Sequence, residues 1–198
     1  DSKARLITPH SALLDPYFAD LPGWQVRERV TLDPTDLDPY FVVYDWQPQV
    51  TLAALKEQAK GKTLDPALPV NLGNALQLIG FDLRTPATAP GGSIELVTLW
   101  RITDPQPARA SGLVLFTHAL SRNQVIGQQD RLDAPAWDWR AGDVVAQIHR
   151  FALPPDVPRE ALQIEVGAYR PADLKRLPVI VNDAVAGDRI LLQTVQVK

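Results

Sequence analysis

From Asn74 to the last residue, apolar and polar positions alternate in short runs broken by proline, glycine and aspartate at intervals of roughly 8–15 residues. In Ile94-Glu95-Leu96-Val97-Thr98-Leu99-Trp100, the residues Ile94, Leu96, Thr98 and Trp100 share one face. In Leu162–Gly167, Leu162, Ile164 and Val166 point to a core while Gln163 and Glu165 point outward. The closing run sets Leu192, Thr194 and Gln196 opposite Leu191, Gln193, Val195 and Val197. A period of two is that of a half-buried β-strand. The pattern predicts strands at Leu76–Leu83, Ser93–Ile102, Ser111–Leu120, Val125–Leu132, Val144–Phe151, Leu162–Tyr169 and Ile190–Val197. Thr85-Pro86, Pro90-Gly91-Gly92, Asp104-Pro105-Gln106-Pro107, Ala141-Gly142-Asp143 and Leu153-Pro154-Pro155 punctuate them. The expected fold class is mostly β, an antiparallel, jelly-roll-like β-sandwich over residues 71–198.

The first seventy residues differ in character. Gln25–Leu32 and Tyr40–Trp46 read as strands, and Thr51–Lys60 reads as a helix with Thr51 as N-cap and Gly61 ending it. Leu52, Leu55 and Ala59 make its apolar stripe. Asp33-Pro34, Asp38-Pro39 and Asp65-Pro66 are turn dipeptides. Residues 1–70 are expected to form a small α+β lead-in that packs on the sandwich or connects it to something upstream.

Composition narrows the function. Eighteen prolines among 198 residues suit short strands better than long helices. A net charge of -3, with no basic cluster larger than Lys175-Arg176, argues against a nucleic-acid partner. The longest apolar run, Leu113–Phe116, is strand-sized, so no membrane span is expected in this segment. The N-terminus carries no signal-peptide pattern. Zero cysteines exclude disulfides and thiolate chemistry, and zero methionines suggest a piece excised from a longer protein.

Three histidines, His10, His118 and His149, are present, but no Gly-x-Ser-x-Gly elbow accompanies them. Phosphate loops of either glycine-rich pattern are missing. Asp130, Asp133, Asp138 and Asp143 fall in one stretch, so a structural calcium ion is the one cation they could take. Their spacing is not that of a calcium loop, and no other cofactor is expected. Trp137-Asp138-Trp139 puts two indoles on one side of an extended segment, where they could stack on a sugar ring, unless one fills the end of the sandwich.

A longer series of motifs runs from Asn71 to Val197. It comprises Asn71–Asp82, Pro90-Gly91-Gly92, Leu96–Trp100, Leu115-Phe116-Thr117-His118-Ala119-Leu120 and Gln129-Asp130. Trp139-Arg140-Ala141-Gly142-Asp143-Val144-Val145, Leu153-Pro154, Val166–Tyr169 and Arg176-Leu177-Pro178 complete it. The series resembles the soluble β-sandwich at the C-terminal end of bacterial polytopic membrane glycosyltransferases, the dolichyl-phosphate-mannose and aminoarabinose transferase-like proteins. The resemblance implies a non-catalytic, extracytoplasmic accessory domain, periplasmic or at the cell surface, tethered to the membrane domain of the same polypeptide and contacting an acceptor glycan. It carries the family's polar positions onto His118, Gln129 and Asp130, which with Trp137 and Trp139 are the candidate ligand-binding residues. Where the family has a second acid after the Trp-x-x-Gly-acid motif, this chain has Gln147. The family's catalytic acids, which lie in the membrane domain, have no counterpart. Two alternatives stay open: a freestanding carbohydrate-binding or cell-envelope module, and a polysaccharide-acting enzyme using the His118/Asp130 region.

Overall fold

The computed structural model describes residues 4–9, 22–31, 35, 41–58 and 68–198. In chain order the elements begin β1 (Ala4–Pro9), β2 (Trp24–Val30), β3 (Phe41–Trp46), α1 (Pro48–Gln58), β4 (Val70–Leu72) and β5 (Leu76–Leu83). They continue β6 (Ala87–Thr88), β7 (Ser93–Ile102), α2 (Gln106–Ser111), β8 (Val114–Ser121) and β9 (Gln124–Arg131). After a 3-10 turn (Ala136–Asp138) come β10 (Val144–Ala152), β11 (Ala161–Tyr169), β12 (Val179–Val181), β13 (Ala184–Gly187) and β14 (Ile190–Val197).

Two sheets pack face to face, as the alternation predicts. One runs β13-β12-β4-β5-β7-β10-β1-β3-β2 and the other β6-β14-β11-β8-β9. Among the described residues the pairings are antiparallel except β1 on β10 and β6 on β14. The chain passes between sheets from β7 to β8, β9 to β10 and β10 to β11, a jelly-roll-like wrapping. Inward residues such as Ile94, Leu96 and Trp100 of β7 meet Leu115, Ile164, Val166 and Ala168 across the core.

The strands of the lead-in lengthen the larger sheet. Leu6 and Ile7 of β1 pair in parallel with Val144 and Val145 of β10, and β3 and β2 follow outward. The outer face of that sheet is also apolar: Leu6, Val42, Trp46, Val97, Leu99 and Val144 form a second cluster against which Leu52 and Ala54 of α1 pack. Gly80 permits this, because a Cβ there would lie 3.1 Å from Leu52 Cδ2.

Several local expectations change. Helix α1 starts at Pro48, which sits where its missing N–H costs nothing. Thr51 is therefore not the N-cap; it is buried and its hydroxyl accepts from Trp46 Nε1 at 2.7 Å and donates to the Pro22 carbonyl at 2.6 Å. Ala59, Lys60 and Gly61 of the predicted helix lie outside the described residues, as does His10. Residues 106–111, whose end Ser111 was expected to open a strand, form α2 instead. In β14 the strict alternation breaks: Ile190 and Leu192 are buried, then Val195 and Val197. The register with β11 slips between Gln163 and Glu165, and such a bulge reverses which residues face the core. Gln163 Nε2 donates to the Leu192 carbonyl at 2.5 Å beside this bulge.

Among the described residues, no helix is long and apolar enough to cross a membrane.

Candidate functional site

On the smaller sheet, even-numbered residues of β8 face away from the core. His118 is paired with Glu165 of β11, and Phe116 with Gly167 on one side and Asp130 of β9 on the other. The register therefore gathers an imidazole, two carboxylates and an aromatic ring on the outer face. Phe116 is buried there because Gly167 leaves room: a Cβ at that position would meet Phe116 Cζ at 2.5 Å. Its ring stacks on His118 with centroids 4.7 Å apart, and Arg176 lies over it at 4.4 Å.

His118 bridges the carboxylates. Its Nδ1 is 2.8 Å from Glu165 Oε1 and its Nε2 is 3.1 Å from Asp130 Oδ1. The ring thus spans the two strands that flank β8, with one nitrogen on each carboxylate. Glu165, 1% exposed, also accepts from Arg189 Nη1 at 2.8 Å and Arg176 Nη2 at 3.3 Å. Burial alone would raise its pKa, but hydrogen bonds from Arg189 and His118 and the charges of Arg176 and Arg189 hold it below the usual carboxylate value. Tyr169 hydrogen-bonds Asp130; burial and that carboxylate push its phenol up.

These groups open onto a pocket of about 190 Å³ lined by Phe116, His118, Asp130, Tyr169, Leu174 and Arg176. The loop from Arg170 to Lys175 forms its rim, closed by Leu177 N donating to Ala168 O at 2.8 Å and Arg170 N to Lys175 O at 3.1 Å. A second hollow of about 230 Å³, lined by Gly23, Trp24, Gln25, Asp45 and Gln47, lies beside β2 and β3. It collects none of the five candidate residues, whereas the first contains two of them.

The remaining candidates separate. Gln129 pairs with Thr117, which lies on the core-facing side of β8, and its amide closes the seam between sheets: Nε2 donates to Arg150 O at 3.1 Å and Oε1 accepts from Arg150 N at 2.9 Å. The two tryptophans do not share a side, because the 3-10 turn between them replaces the extended segment on which that expectation rested. Trp139 is 1% exposed and belongs to the core, so no sugar can stack on it. Trp137 is 61% exposed, with its ring edge-on to Phe41 at 5.9 Å.

The aspartates also disperse. Asp138 and Asp143 share the Arg5 guanidinium of β1: Nη1 reaches Asp138 Oδ2 at 2.7 Å, Nε reaches Asp143 Oδ1 at 3.0 Å, and Nη2 contacts Asp143 Oδ2. Asp143, then Asp138, hold Arg5 firmly in its charged form against the cost of burial. Asp133 binds Arg131 and Gln147, whose Nε2 donates to it at 2.6 Å; burial nevertheless raises its pKa. A cation between Asp138 and Asp143 would have to displace Arg5. Among the described residues, no group of three or more histidine or acidic side chains is arranged to hold a metal ion.

Glu165, Tyr169, Arg176 and Arg189 were missed as site residues by sequence reasoning. The available signal was the strand register, which sets Glu165 opposite His118. No family model matches the chain, and no curated protein matches it.

Proposed function

We propose that this protein is a non-catalytic saccharide-binding β-sandwich, carried as the extracytoplasmic accessory domain of a membrane glycosyltransferase. The observation that carries the binding reading is the pocket on the smaller sheet, where the Asp130 carboxylate, the Tyr169 hydroxyl and the Arg176 guanidinium converge beside Phe116 and Leu174. A carboxylate that accepts and a guanidinium that donates suit neighbouring sugar hydroxyls, and a concave site with a few convergent polar groups is the usual form of a ligand pocket. The transferase setting, the tether to a membrane domain and the location outside the cytoplasm rest on the ordered motif series between Asn71 and Val197.

The non-catalytic part has its own support. Both nitrogens of His118 are held by carboxylates, Glu165 and Asp130, and neither is aimed at a hydroxyl nucleophile. Among the described residues, no serine or threonine lines the pocket as a nucleophile.

A glycan array probed with the wild-type protein and with Asp130→Ala and Trp137→Ala tests this reading. Retention of a glycan by wild type and Trp137→Ala, and its loss from Asp130→Ala, is the expected result. No retention of any glycan would defeat it, and turnover of a glycan abolished by His118→Ala would replace it with an enzyme.

A further inference from the structure

Leu174 stands on the rim of the pocket in a conformation that disfavours leucine twice. Its side chain is 71% exposed, and its φ of 56° lies in the left-handed region that branched residues avoid. The loop holds it there. Asp173 accepts from Lys175 N at 3.1 Å and from Arg170 Nη2 at 2.5 Å, while Arg170 N donates to Lys175 O at 3.1 Å. Tyr169 and Arg176 pair across the loop's base.

The other walls are of different character. Asp130, His118, Tyr169 and Arg176 present polar groups, and Phe116 is wholly buried beneath them. A volume of about 190 Å³ lies below that of pockets for drug-sized ligands, which fits a single ring. An aliphatic side chain sharing the pocket with polar groups matches a ligand that carries both hydroxyls and a methyl group.

We propose that Leu174 is a ligand-contact residue that makes this pocket selective for a methyl-bearing pyranose, the methyl being that of a 6-deoxyhexose or of an N-acetylhexosamine. The proposal rests on the saccharide reading above. Asp130 and Arg176 take the hydroxyls; the methyl group leaves water against Leu174, and that burial is the term an unmethylated sugar lacks.

Calorimetric titration tests it with two pairs of probes: methyl 6-deoxyhexopyranosides against the parent hexopyranosides of the same configuration, and N-acetylhexosaminides against the free hexosaminides. In at least one pair the wild-type protein should bind the methyl-bearing sugar about fourfold more tightly. Leu174→Ala should bring that ratio to about one. Leu174→Gly should do the same while its urea midpoint holds or rises, since glycine accepts the backbone angle freely. A ratio near one in the wild type, a ratio unchanged in Leu174→Ala, or a lowered midpoint in Leu174→Gly overturns the role of Leu174 and leaves saccharide binding standing. Absence of binding to every pyranoside overturns the saccharide reading and this inference with it.

Discussion

His149 sits on the inward face of β10, fully buried, and neither ring nitrogen reaches a hydrogen-bond partner among the described residues. Burial lowers its pKa from 6.5 to about 3; the Gln129 backbone opposes this, and the Arg131 and His118 charges add to it. In the unfolded chain the same ring protonates at its ordinary value. Below pH 6.5 the unfolded state therefore binds a proton that the folded state refuses, and stability falls by about 1.4 kcal/mol for each further pH unit. The contribution is complete above that pH and is drained as the pH approaches the folded value near 3. Between about pH 7 and about pH 5 the loss from this residue is about 2 kcal/mol. His149→Leu, similar in volume, removes the titrating group and also the buried, unpaired ring N–H, whose desolvation costs roughly 1–3 kcal/mol. Urea denaturation of both proteins at the two pH values measures the effect. The variant should be at least as stable near neutrality, and the wild type should lose about 2 kcal/mol more on acidification. Other titrating groups contribute to both proteins and cancel. Equal pH dependence would refute a neutral, unpaired His149.

Glu165→Gln leaves Arg176, Arg189 and His118 facing an uncharged amide, and should cost about 3 kcal/mol in urea denaturation near neutral pH. Because its folded pKa is lowered, the carboxylate's contribution is present above the ordinary value of 4.5 and vanishes as the pH falls below it, so the two proteins should converge in acid. Arg5→Lys cannot reproduce the forked contacts to Asp138 and Asp143 and should lower stability by about 2 kcal/mol in the same assay. Gly167→Ala drives a methyl group into the Phe116 ring and should cost roughly 1–3 kcal/mol, with near-ultraviolet circular dichroism reporting the displaced ring. Thermal unfolding should separate the tryptophans: Trp139→Ala should lose roughly 3–5 kcal/mol, whereas Trp137→Ala, mostly exposed, should lose less than about 1 kcal/mol.

Strands β5, β7 and β14 fall on the predicted bounds, because each is a run of eight to ten residues rich in apolar side chains and bounded by turn residues, which needs no knowledge of its neighbours. Short strands such as β4, β6, β12 and β13, of two to four residues, have too few positions to show a period. Strand β1 escaped for another reason: its partner β10 is more than a hundred residues away, and the parallel pairing of Leu6 with Val144 leaves no local trace. His118 and Asp130 of the pocket were legible as polar residues in a sheet. Glu165 reads as an outward, solvated position, and it does point away from the core. What buries it is the cover supplied by Arg176 and Arg189, a tertiary contact that period-two alternation does not encode. For Trp137 and Trp139, the reading that one indole fills the sandwich fits Trp139, while the shared side fails on one local detail, the 3-10 turn that sends one indole into the core and the other into water.

Amide chemical-shift mapping during titration with the glycan best retained on the array tests saccharide binding at this pocket most directly. Shifts concentrated at Phe116, His118, Asp130, Tyr169, Leu174 and Arg176, the residues lining the pocket, are predicted. Shifts centred elsewhere, such as around Trp137, or no shifts at saturating glycan, would contradict it.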